Sequence, residues 1–225
     1  MKIGIIFAMK EELDELKKLI NIEKIEKIYE LTFFYGIIDN KTCIFVESGI
    51  GKVNAARTTQ ILIDKIGVDY IFNIGVAGGI SNDLQVGDIV IGEKIVQHDF
   101  DITAFNHKKG YIPNVGVYIE SDKMLINIAS NVITEGVKGV IATSDIFCSE
   151  NNMAKKINDK FGALCVEMEG ASIAQVCYLC NIPFIIIRSI SDVPNNNNVV
   201  TYEEFLTTSA KKIAIAMRDI LLKIK

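Results

Sequence analysis

Short apolar runs alternate with stretches of helical period along this chain. KIGIIFA (2 to 8) is continuously apolar and leads into a segment where Met9, Leu13, Leu16 and Ile20 recur at helical spacing, which predicts a strand followed by a helix. CIFVES (43 to 48) repeats the pattern, ending in GIGK and a second helix. YIFNIGVA (70 to 77) runs into glycines and GDIVIGEKIVQHDF (87 to 100) reads as a long alternating strand. KGVIATSDIF (138 to 147), ALCVEM (163 to 168) and IPFIIIRSISD (182 to 192) are further apolar strands. Helices are predicted near 122 to 135, 151 to 160, 169 to 180 and 202 to 224, the last opened by a capping box at Thr201, Tyr202, Glu203 and Glu204. Strands apolar on both faces and joined by helices imply a largely parallel sheet in an α/β layer fold. With no internal repeat and no long linker, one domain over 1 to 225 is expected.

Composition narrows the partners. At 225 residues, 49% of them hydrophobic and only three of them proline, the chain can bury a substantial core. Its formal net charge is −4 and no lysine- or arginine-rich run stands out, so neither nucleic acid nor a membrane surface is expected as a partner, and a small molecule is. The amino terminus turns charged after Ala8, too early for a signal peptide, and the densest apolar run, IPFIII (182 to 187), is far shorter than a membrane span; a cytoplasmic location is expected. The cysteines at 43, 148, 165, 177 and 180 are odd in number, which argues against a disulfide framework. CYLC (177 to 180) has metal-type spacing but no second pair, and its surroundings read as a buried helix. In QHDFD, strand alternation would project Asp99 away from His98 and Phe100, which weakens a metal reading there. No metal and no cofactor are expected.

In α/β folds ligands collect where strands end and helices begin, and four such junctions are chemically unusual here. In AMKEEL (8 to 13), Glu12 borders the apolar stripe while Glu11, Asp14 and Lys18 point away; it either faces the sheet or complements the helix dipole. SGIGKVNAA (48 to 56) is a glycine turn entering a helix, but Asn54 stands where a nucleotide fingerprint needs its third glycine, and Val53 after Lys52 breaks a P-loop. CVEMEGAS (165 to 172) sets Glu167 and Glu169 in apolar surroundings, and a helix dipole accounts for Glu169 alone. IIIRSISD (185 to 192) ends the most apolar strand with Arg188, Ser189, Ser191 and Asp192, either as a binding edge or as a buried arginine–carboxylate pair.

Taken in order, MKIGII with AMKEE, ESGIGKVNAA, NIGVAGG followed by VGDIV, HDFDITAF, VEMEGASIAQVC, and RSISDV followed by a YEEF helix start span nearly the whole chain. The chain resembles the 5'-methylthioadenosine/S-adenosylhomocysteine nucleosidases of the nucleoside phosphorylase superfamily. That resemblance implies a three-layer nucleoside phosphorylase-like α/β fold with a central mixed, mostly parallel twisted sheet flanked by helices. It also implies an N-glycosyl hydrolase that needs no cofactor, works as a homodimer and releases adenine from 5'-thioadenosines. Asp192 matches the acid that protonates purine N7, and Glu12 matches the base that orients and deprotonates water. Glu169 matches the carboxylate on the ribose hydroxyls, with Met168 packed on the sugar; Arg188 and Ser191 match supporting residues. Phe147 matches the ring on adenine and the main chain of Cys148 the reader of the base edge. Met9, Ile50 and Tyr202 belong to the implied substrate site, with Phe105, His107 and Pro113 contributed by a partner subunit. Glu167 receives no role from the match.

Two separated carboxyl groups suit glycoside cleavage, in which one eases departure of the leaving group and the other places water on the opposite face. A free aspartic acid titrates near pH 3.9, so keeping Asp192 protonated at pH 7 requires roughly 4 kcal/mol from burial or from a hydrogen bond to N7. Departures from the family pattern also carry meaning. Val76 stands where phosphorylases use a phosphate-binding serine, which favours water as nucleophile, although Lys52 and Arg57 leave cationic capacity nearby. His107 replaces a frequent aromatic at the rim, and Phe7 a smaller residue. A purine nucleoside phosphorylase and a non-catalytic nucleoside-binding module are the alternatives. 5'-Deoxyadenosine and 6-amino-6-deoxyfutalosine are further possible substrates.

Overall fold

A computed structural model describes the backbone of residues 1–193 and 198–224, and the side chains of 1–193 and 204–224. The first half contains β1 (Lys2–Phe7), α1 (Lys10–Lys17), β2 (Ile22–Ile28), β3 (Leu31–Ile38), β4 (Lys41–Glu47) and α2 (Lys52–Ile61). A π-helical turn (Leu62–Ile66) extends α2, followed by β5 (Tyr70–Gly79) and β6 (Ile89–Gln97). The second half contains β7 (Ile119–Glu120), α3 (Lys123–Val132), β8 (Val137–Thr143), α4 (Asn151–Phe161), β9 (Ala163–Glu167), α5 (Gly170–Cys180), β10 (Phe184–Asp192) and α6 (Asn198–Leu221).

Alternation along the strands divides the core between two faces. On β1, Ile6 packs on one side and Ile5 and Phe7 on the other; on β10, Ile186 and Ile190 oppose Ile185 and Ile187. The first face is covered by Ala55 and Ile61 of α2 and by Ile173, Ala174 and Cys177 of α5. The second is covered by Leu13 and Leu16 of α1, Leu125 of α3, and Ile213, Met217 and Leu221 of α6. Each of these buried isoleucine, leucine, phenylalanine and methionine side chains contributes about 1.5–3 kcal/mol relative to exposure, which is why runs apolar on both faces settle in the middle layer.

The expected three-layer arrangement is therefore present. Among the described residues, five strand pairings are parallel and five antiparallel, the parallel ladders pairing more residues in all, so the sheet is mixed and mostly parallel. One antiparallel pairing is the hairpin β2–β3, which apolar periodicity does not predict because β2 is an edge strand rich in exposed lysine and glutamate. Others come from closure of the sheet. β10 pairs in parallel with β5 and antiparallel with β6, while β6, β8, β9 and β5 pair in turn, so five strands form a ring from which β1, β4, β3 and β2 extend.

Element ends differ where function gathers. β8 stops at Thr143, and residues 144 to 148 form a turn; β6 stops at Gln97, so His98 and Asp99 lie beyond the strand and alternation does not govern them. α6 begins at Asn198, before Thr201, so the capping box is not its start.

Candidate active site

Four carboxyl groups and one guanidinium, all buried, gather at the carboxyl ends of β1, β5, β9 and β10. Glu12 lies in the first turn of α1 and is 1% exposed. Its Oε2 accepts the N–H groups of Ala8 and Met9, each at 3.1 Å, satisfying donors that the helix leaves unpaired. The helix-start reading thus accounts for one oxygen. The other, Oε1, crosses to β5 and accepts the N–H of Val76 at 3.0 Å. Burial raises this carboxyl from 4.5 to about 7, against the opposing pull of the Arg188 charge and of the Val76, Met9 and Ala8 donors. The approach requires glycine at position 75, where a Cβ would stand 2.7 Å from Glu12 Oε1.

Asp192 closes β10 at 2% exposure. The hydroxyl of Ser191 donates to its Oδ1 at 2.8 Å. A register shift lies between Ile190 and Asp192, and the bulge explains how the consecutive residues Ser191 and Asp192 both face one cavity, which a regular strand forbids. A Cβ at Gly78 would lie 3.4 Å from Asp192 Oδ2. The two carboxyl groups thus stand near Gly75 and Gly78, stations about 10 Å apart along an extended strand.

The CVEMEGAS pair divides its contacts. Glu169 Oε1 accepts the N–H of Gly51 at 2.9 Å, so the glycine turn before α2 meets a carboxylate of the chain itself. Gly51 holds φ at 101°, a conformation that disfavours any side chain. Burial first, then the neighbouring Glu167 charge, pushes Glu169 up to about 7. Glu167 instead forms a buried ion pair with Arg188, whose second interaction is with Asn73 Oδ1.

A cavity of about 340 Å³ is lined by Glu12, Asp192, Glu169, Met168, Ser191 and Met9, together with Ile50, Phe147 and Cys148. The turn after β8, which the sequence reads as strand, delivers the last two: Phe147 is 43% exposed at the mouth, while Cys148 is buried, with its thiol raised by burial. The cavity also takes in Glu167 and, beside it, Ala8, Val76, Ala77, Gly78, Ile146 and Val166, none assigned to substrate from the sequence. Their signal was available in part, since the small residues of NIGVAGG mark a strand end that something approaches closely.

Arg188 is not among the lining residues; it lies wholly buried, hydrogen-bonded to main-chain and side-chain oxygens. Tyr202 lies outside the residues whose side chains are described. Phe105, His107 and Pro113 do not line this cavity: Phe105 projects into solvent at 76% exposure and His107 stacks on Tyr111. The cationic capacity expected from Lys52 and Arg57 is engaged elsewhere, Lys52 with Asp99 at 2.7 Å and Arg57 with Glu30. Among the described residues no group of histidine, cysteine, aspartate and glutamate could hold a metal ion.

Comparison with known proteins agrees with this geometry. The family model of the phosphorylase superfamily matches residues 2–222. The chain is 40% identical to the 5'-methylthioadenosine/S-adenosylhomocysteine nucleosidase of Oceanobacillus iheyensis, with 100% of both chains covered. It superposes on a futalosine hydrolase mutant of Helicobacter pylori with a TM-score of 0.97 and 33% identity over 100% of each chain. On the nucleosidase of S. pneumoniae with the transition-state inhibitor MT-ImmA, the TM-score is 0.96 and the identity 35%, again over 100% of each. With such similarity along its entire length, the chain belongs to the phosphorylase superfamily and, within it, to the 5'-methylthioadenosine/S-adenosylhomocysteine nucleosidases.

Proposed function

We infer that the protein hydrolyses the N-glycosidic bond of 5'-methylthioadenosine and S-adenosylhomocysteine to adenine and a thioribose, with 5'-deoxyadenosine as a further substrate. The observation that carries this reading is that Glu12 and Asp192 line one cavity with Glu169. Asp192, near Phe147 and Cys148, protonates N7 of the purine as the bond breaks. Glu12, titrating near neutrality, takes the proton of the attacking water. Glu169 accepts hydrogen bonds from the ribose hydroxyls and Met168 packs on the sugar. Ionised Glu12 and Glu169 also favour the positive charge that develops on the sugar. The reaction serves methionine salvage and clears the product of methyl transfer.

Water rather than phosphate fits as the nucleophile, because Val76 presents methyl groups to the cavity and no lysine or arginine lines it among the described residues. Incubating methylthioadenosine with and without phosphate and identifying the sugar tests this. Free methylthioribose at equal rates is expected; a sugar 1-phosphate formed only with phosphate would overturn the reading in favour of a phosphorylase. Asp192→Asn is expected to abolish turnover while nucleoside binding, measured calorimetrically, persists; wild-type turnover would remove Asp192 from the acid role.

A second copy of the chain completes the site in this reading. Phe105, Val53 and Ile50 are 76%, 78% and 53% exposed, and such apolar groups suit an interface through which Phe105, His107 and Pro113 reach the partner's cavity. Light scattering should give a dimer; a fully active monomer would exclude it. No described helix is long and apolar enough to cross a membrane, which agrees with the proposed cytoplasmic location.

A further inference from the structure

Two buried carboxylates stand two residues apart in VEME, and only Glu169 has a part in the reaction proposed above. The bonds of Glu167 suggest what the other does. Its Oε1 is met by the Thr143 hydroxyl, and its Oε2 accepts the N–H groups of Glu169 at 3.0 Å and Gly170 at 2.7 Å besides pairing with Arg188. Thr143 in turn accepts the N–H of Ala171 at 2.8 Å. Three successive N–H groups at the start of α5 are thus satisfied by Glu167 and Thr143.

That work ordinarily falls to the side chain of the N-cap residue. Here the N-cap is Glu169, whose side chain makes no cap bond and reaches instead to Gly51. Glycine at 170 leaves room for the arrangement, since a Cβ there would lie 3.0 Å from Glu167 Oε1.

We propose that Glu167 is a positioning residue: through the start of α5 it holds the Glu169 carboxylate toward Gly51 and the cavity, and its own charge, paired with Arg188, acts on that carboxylate. The proposal rests on the nucleosidase reading of the same cavity. The charged groups facing this cluster are Arg188 from β10, Glu12 from α1 and Glu169 ahead of α5, with His98 beyond β6 farther out. Arg188 lowers the proton affinity of both Glu12 and Glu169, whereas Glu167 raises that of Glu169. Without the Glu167 charge, Glu169 titrates at lower pH.

The test is the pH profile of kcat/KM for methylthioadenosine in wild type, Glu167→Gln and Glu167→Asp. The acid limb contains both Glu12 and Glu169, each required as a carboxylate, and in Glu167→Gln the part due to Glu169 should move down by about one unit, the size of a close charge effect. KM should rise about tenfold, the equivalent of about 1.4 kcal/mol. Glu167→Asp, which keeps the charge, should hold the acid limb at its wild-type position while KM rises. A folded Glu167→Gln variant with an unmoved acid limb would overturn the proposal, even if its melting temperature fell. Should that variant not fold, Thr143→Val is read instead: a raised KM with an unmoved limb supports the proposal and an unchanged KM overturns it. A wild-type protein that leaves methylthioadenosine intact would sink the nucleosidase reading alone. Hydrogen exchange at the Gly51 amide would then decide, protection lost in Glu167→Gln supporting the positioning role and protection kept refuting it.

Discussion

Glu12 and Asp192 face the same cavity, yet Glu12 is gripped by the N–H groups of Ala8, Met9 and Val76, whereas Asp192 meets a side-chain hydroxyl, that of Ser191. Backbone donors survive any side-chain substitution around them, so the base end is vulnerable only at Glu12 itself or where backbone room is lost. At the acid end, the Ser191 bond can be deleted by removing a hydroxyl. The bonds that grip the base are thus out of reach of side-chain substitution, whereas this bond to the acid is not.

Among the changes at the base, removing the carboxylate itself should have the largest effect. Glu12→Gln is expected to lower kcat by about 10²–10⁴-fold, the range for a lost general base, in a single-turnover assay of adenine release. A tenfold loss or less would show that water is activated elsewhere. Gly75→Ala probes the backbone grip without touching the carboxyl. Its Cβ would fall 2.7 Å from Glu12 Oε1, and because that oxygen is tied to Val76 the base must shift. A misplacement of this kind lowers activity on the order of 10²-fold, and unchanged kinetics would mean the base is not tightly placed. At the acid end, Ser191→Ala removes one hydrogen bond to a carboxyl, and kcat/KM should fall about tenfold. A loss as large as that of Gly75→Ala would erase the contrast between the two ends.

The pH dependence sharpens the comparison at the smallest scale. Glu12 must be ionised to accept a proton, and it titrates at about 7, so kcat/KM should rise from pH about 6 to about 8. Stability runs the other way. The folded value lies above the unfolded 4.5, so the folded protein holds the extra proton between the two. The stabilisation is full below pH about 4.5 and is lost as pH rises through about 7, amounting to about 3 kcal/mol. Glu12→Gln has no such titration, so denaturant unfolding should show wild type losing more stability than the variant across that window. Parallel slopes would contradict a raised Glu12.

Most of the strand–helix order was legible because both-face burial writes itself as apolar runs, and the helical angle put Glu12 at the border of the apolar stripe while leaving open a helix-dipole role. The hairpin β2–β3 was not, since an edge strand exposes the charges that blur its period. Nor was the turn carrying Phe147 and Cys148, because SDIF is as apolar as a strand end.

The sequence by itself determined which residue types stand at the strand ends: Glu12, Glu167 and Glu169, Arg188 and Asp192, each next to a run that must be buried. Only the tertiary structure decided their partners, that Glu167 takes Arg188 and the start of α5 while Glu169 turns to Gly51. Burial preference is a local property of each side chain and its neighbours in the chain. Pairing of buried charges depends on which strand ends the sheet brings together, and here that was set by β10 joining β5 to β6 and closing the ring.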